Sequence, residues 1–115
     1  MTKYNNTESA LVKFEEAATM HAEATEQGDY KTANKCYAII AKAATYLKEK
    51  SEIQKLSGFL EHNSTGVRLW AATYLLPFME SEGVSALEKI AKGKGIHSLD
   101  AEMTLRDWRN GNLKL

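Results

Sequence analysis

Six side chains of this sequence carry chemistry that a site could use: His21, His62, His97, Cys36 and the neighbouring Glu15 and Glu16. A zinc site needs three or four converging ligands. His21 has no His or Cys one helical turn away. The His-Glu-x-x-His pattern is absent, and Cys36 has no C-x-x-C partner. No metal and no cofactor are therefore expected. A nucleophilic cysteine needs a base and an electropositive setting. Lys35 adjoins Cys36, and His21 could reach it across a helical hairpin, yet a lone helical cysteine more often packs as a small apolar residue. Glu15 and Glu16 are sequence neighbours, roughly 100° apart around a helix, so they do not converge on one substrate. Gly93-x-Gly95 lacks the continuation of a phosphate-binding loop and follows no strand. No catalytic constellation emerges, and the chain is read as a non-enzyme.

The elements that would position these groups read as helices throughout. From Thr7 to Gly28, Leu11, Phe14, Ala18 and Ala22 recur at steps of three and four, with Thr7 as cap and Gly28 as the closing residue. Asp29 can cap the second helix, whose stripe is Ala33, Tyr37, Ile40, Ala44 and Leu47. Their short connection predicts an antiparallel hairpin. Ser51-x-x-Gln54 reads as a capping box opening a third helix with Ile53, Leu56, Phe59 and Leu60 on its face. A polar turn, His62 to Gly66, precedes a strongly apolar fourth helix from about Val67, ended or kinked at Pro77. Ser81 is expected to cap the fifth, carrying Val84, Leu87, Ile90 and Ala91. The sixth starts near Ser98, carries Ala101, Leu105 and Trp108, and stops at Gly111. Surface pairs are expected for Glu88 with Lys92 and for Glu102 with Arg106.

The fold class is thus all-α: about six helices in three antiparallel αα-hairpins, forming one domain over residues 1–115. The hairpin period suggests a HEAT- or armadillo-like right-handed superhelix, with a closed six-helix bundle as the alternative. Trp70 and Trp108 sit on apolar stripes and read as core. Tyr30, Tyr37, Tyr46 and Tyr74 suit mixed roles, with ring packed and hydroxyl exposed.

Bulk composition narrows the partners. The chain has 115 residues, 15 basic and 15 acidic side chains, and a formal net charge of zero. Balanced charge argues against a dedicated nucleic-acid binder. A single cysteine excludes an internal disulfide, and no apolar run approaches the length of a membrane span, so a cytoplasmic protein is expected. The N-terminal residues lack the basic and apolar pattern of a secretory signal. Charge is nevertheless segregated. Thr7 to Asp29 carries a surplus of five carboxylates, and Lys31 to Lys50 a surplus of four lysines. Two readings follow. The helices attract each other within one hairpin, or one charged face meets a partner. For a partner, the acidic candidates are Glu15, Glu16, Glu23, Glu26 and Asp29. The alternative basic face is Lys31, Lys35 and Lys42, which would suit nucleic acid.

Val67-Arg68-Leu69-Trp70-Ala71-Ala72, after a polar turn, resembles the second helix of a HEAT-type repeat. Ser64 stands where that pattern often has Asp. Asp29 to Tyr37, Val67 to Ala72, and Ser98 to Gly111 with Leu105-Arg106-Asp107-Trp108 together resemble a group of short bacterial HEAT-like proteins of uncharacterised function. These are similar to immunity proteins, which bind and neutralise a cognate toxin. The resemblance implies a protein partner, such as a toxin domain, and no catalytic motif.

Overall fold

A computed structural model describes residues 6–115. The described residues are helical and form no strand. They hold five α-helices: α1 (Thr7–Glu26), α2 (Tyr30–Glu49), α3 (Thr65–Leu75), α4 (Glu80–Ala91) and α5 (Ile96–Arg109). A 3-10 helix, Ile53–Phe59, stands in place of the expected third α-helix. The chain divides into two compact units, Met1–Lys55 and Leu56–Leu115.

In the first unit α1 packs along α2. The reason lies in residue size. α1 buries Phe14 amid Ala10, Ala17, Ala18, Ala22 and Ala24, and α2 buries Ile40 and Leu47 amid Ala33, Cys36, Ala43 and Ala44. Small residues at a helix contact let the axes approach. The cap of α1 is Asn6, whose side chain accepts from the Ser9 N–H at 2.8 Å. Thr7, expected to cap, is the first helical residue instead. Gly28 closes α1 at φ +75°, and the N–H groups of Gly28 and Asp29 donate to the carbonyls of Thr25 and Ala24. This is the Schellman arrangement, which satisfies carbonyls at a helix end.

α2 ends in the same way, with a serine where glycine is usual. Ser51 adopts φ +58°, its N–H donates to the Lys48 carbonyl, and Glu52 N–H donates to that of Leu47 at 2.7 Å. Ser51 is therefore the closing residue of α2 and cannot open a capping box, because an N-cap needs extended backbone. The following segment buries Ile53 and Leu56, three residues apart. That is the period of a 3-10 helix.

In the second unit α3 packs on α4, α4 on α5, and α3 also reaches α5. Leu69, Ala72, Leu76, Leu87, Ile90, Ala101 and Leu105 form the core, with Trp108 and Leu113 packed against it. Burying a leucine fully contributes about 1.5–3 kcal/mol. α3 begins two residues before the expected Val67, capped by Ser64, and is buried almost all round. Its buried Thr73 hydroxyl donates to the Leu69 carbonyl at 2.7 Å, so no polar atom is stranded there. α4 starts at Glu80 with no side-chain cap, and Ser81 lies inside it. α5 starts at Ile96, which places His97 in its first turn rather than in a loop. Gly83, in the first turns of α4, meets α3 closely: a Cβ there would lie 2.9 Å from the Ala72 carbonyl oxygen.

Candidate functional site

Of the groups with catalytic potential, Cys36 is buried, and His21 and His62 each have a partner close by in the chain. Cys36 is 3% exposed, and burial, with the Asp29 charge as a lesser cause, pushes its thiol above the usual range. That is the opposite of an activated thiolate. His21 is half-buried on α1, with Nδ1 3.5 Å from the Thr25 hydroxyl. His62 braces the turn before α3: its Nδ1 accepts from the Ser64 N–H at 2.9 Å, and its ring meets Phe59 edge-on. Arg68 secures the same turn, donating to the carbonyl of His62 at 2.6 Å and to the Thr65 hydroxyl at 3.1 Å. Among the described residues no group of three or more His, Cys, Asp or Glu could hold a metal ion. None of their helices is long and apolar enough to cross a membrane.

The acidic candidates share the outer side of α1. At 3.6 residues per turn, Glu15 and Glu26 stand about 20° apart around the axis, as do Glu16 and Glu23, and the two pairs are separated by about 80°. The arc they cover lies away from the buried Phe14–Ala18 stripe. Glu16, Glu23 and Glu26 are exposed and Glu15 is half-buried. Lys13 approaches Glu16 at 3.8 Å, with both side chains more than half exposed. Such a pair contributes little. Asp29 has a different task. Its two oxygens accept from the Thr32 N–H at 3.2 Å and the Thr32 hydroxyl at 2.7 Å, capping α2. The hydroxyl first, then the backbone N–H, hold this carboxyl below its usual range.

The basic candidates stand on the far side of α2. Lys31, Lys35 and Lys42 are exposed and fall within an arc of about 40°, opposite the buried Ile40. The opposite charges of the two helices are therefore displayed on outward faces. Tyr30, at the start of α2, is 71% exposed.

A further surface, unread in the sequence, lies between α4 and α5. Glu88 Oε2 takes the Arg109 guanidinium at 3.0 Å in place of the expected Lys92. Trp108 is only partly buried, and its indole N–H donates to Glu80 Oε2 at 2.7 Å. On one side of the Glu88–Arg109 pair is a cleft of about 520 Å³ that includes Glu80, Val84 and Trp108. On the other is a cleft of about 680 Å³ that includes Ala91, Leu99, Met103 and Arg106. The signal for the second was present in the sequence: Ile96, Leu99 and Met103 recur at steps of three and four on the face opposite Ala101 and Leu105. Trp70, also half-buried, stacks on the buried Tyr74 with centroids 6.1 Å apart.

No protein-family model and no curated protein matches the chain. Among solved structures, the crystal structure of the protein RPA1889 from Rhodopseudomonas palustris CGA009 is similar, with a TM-score of 0.88 and 23% identity over 96% of this chain and 94% of that one. That likeness shows the all-helical fold and assigns no site.

Proposed function

We propose that this chain is a non-enzymatic protein-binding module, and specifically a bacterial immunity protein on a HEAT-like helical scaffold that occludes a cognate toxin in the cytoplasm. The observation that carries the reading is the outward display of carboxylates on α1. Glu23 and Glu26 occupy its last turn, which holds no basic residue. The helix dipole disfavours carboxylates there by about 0.3–1 kcal/mol each at low salt. The positive end of α2, at the same tip, is already capped by Asp29. An exposed carboxylate such as Glu23, kept at the helix end where the dipole disfavours it, suits a cationic partner. A toxin that cleaves nucleic acid has a phosphate-binding cleft of that kind. Glu15, Glu16, Glu23 and Glu26 would stand in for phosphates, speed association and cover the cleft.

The test is co-expression with the toxin-bearing gene expected beside this one in its genome. Cells carrying the wild-type chain survive. Cells carrying the combined Glu15→Lys, Glu16→Lys, Glu23→Lys and Glu26→Lys variant die, although the variant folds normally by circular dichroism. Equal survival with both chains sinks the acidic-face mechanism.

The exposed stripe of Lys31, Lys35 and Lys42 supports a second reading, a nucleic-acid-binding or adaptor repeat. Three phosphate contacts predict a slope of about −3 for log affinity against log salt on duplex DNA.

A further inference from the structure

The α4–α5 cleft differs in chemistry from the acidic face of α1. α5 needs only its inner side for folding: Ser98, Ala101 and Leu105 are buried. Yet its outer side also carries an apolar stripe, with Ile96, Leu99 and Met103 exposed by 43%, 56% and 45%. Leu99 and Met103 line the cleft of about 680 Å³ together with Ala91. A leucine more than half exposed beside an adaptable methionine is the kind of surface on which a partner's apolar side chains settle.

The rim says what flanks those side chains. Lys92, Arg106 and Arg109 face the cleft against Glu88 and Glu102. Arg109 is held by Glu88 at 3.0 Å. Lys92 and Arg106, both exposed, are left opposite Glu102 alone, so the rim carries a net positive charge. We propose that this cleft binds an amphipathic helix of a partner protein, with apolar anchors at steps of three and four seated on Leu99 and Met103 and with flanking carboxylates directed to Lys92 and Arg106. Helix-in-groove recognition uses that spacing of anchors. The inference does not rest on the immunity reading, which calls for a cationic partner on α1.

Two synthetic 14-residue peptides test it by NMR titration of the isotopically labelled full chain. Both carry Leu at positions 1, 4, 8 and 11; one has Glu at the remaining positions, the other Lys. The expected result is saturable shifts of Ala91, Leu99, Met103 and Arg106 amides with the Glu peptide. Arg106→Glu and Met103→Glu should each weaken that binding by about tenfold or more. Both positions are exposed, and unchanged resonances of α3, which belongs to the same compact unit, check that the fold is retained. Three outcomes overturn the proposal: no shift in α4–α5 at millimolar peptide, equal binding of the Lys peptide there, or the same shifts on raising protein concentration alone, which would assign the cleft to a second copy. Shifts of α1 amides by the Lys peptide report separately on the acidic face.

Discussion

Replacing Gly83 with alanine tests the packing of α3 on α4, because helix propensity and close packing predict opposite signs. Propensity alone favours alanine in a helix by about 1 kcal/mol. The structure opposes it. The new methyl carbon would lie 2.9 Å from the Ala72 carbonyl oxygen and 3.0 Å from Leu76 Cδ2. Carbon contacts are comfortable at about 3.5–4.0 Å. The Leu76 tip can turn aside, but the Ala72 carbonyl belongs to the α3 backbone. α4 must therefore retreat by some tenths of an ångström, loosening the contacts of Leu76 and Leu87, both 0% exposed. Overpacking of this kind costs about 1–3 kcal/mol. Set against the gain in propensity, Gly83→Ala should lose about 1 kcal/mol net. Thermal melts followed by circular dichroism should show Tm falling by roughly 4–8 °C. Gly58→Ala is the control, since a Cβ there meets nothing within 4 Å. A Gly83→Ala protein melting at or above wild type would refute the reasoning.

Ser51→Gly relieves the left-handed backbone at φ +58° and should raise stability by about 0.5–1 kcal/mol in urea titrations; a loss would show that the serine side chain holds this turn. The Thr32 hydroxyl and then its N–H hold the Asp29 carboxyl below the usual carboxylate range in the folded chain. Its contribution is therefore fully present above the unfolded value and is lost as pH falls through the folded one. Asp29→Asn should melt below wild type at neutral pH, and the gap should close in acid; a gap constant with pH contradicts the capping role. The buried Cys36 thiol should react with a disulfide reagent at less than about a tenth of its rate in denaturant, and equal rates would mean that the α1–α2 contact opens freely.

How far the sequence could be read follows from the range of each interaction. Gly28, Asp29 and Gly111 announce helix ends through local backbone chemistry, and the structure places each at an end. Ser51 misleads because the same residue type can cap a helix or close one. The decision rests on its φ, which the preceding α2 imposes. Ile53, Leu56 and Phe59 carried the period of three that marks a 3-10 helix, but an α-helix tolerates the same residues. Met79 precedes α4 without a side-chain cap, so Ser81, the second residue of the helix, offered a false start. The acidic and basic faces were legible because periodicity alone assigns them. Asp29 belonged to the acidic set by charge, and the structure adds a second role that charge alone did not announce, since its oxygens accept from Thr32 and cap α2. The Glu88–Arg109 and Trp108–Glu80 contacts join residues 21 and 28 positions apart, beyond the reach of helical spacing. The outer stripe of α5 was present in the sequence, but starting that helix at Ser98 removed Ile96 and hid the pattern.

The measurement that bears most directly on the proposed function is a paired capture from the native host. Tagged wild-type chain and the four-glutamate reversal variant are purified side by side after nuclease treatment and washed at high salt. The account predicts one stoichiometric protein with the wild type and its loss with the variant. Recovery of that protein by both chains, or of nucleic acid alone in a parallel capture without nuclease, would contradict it.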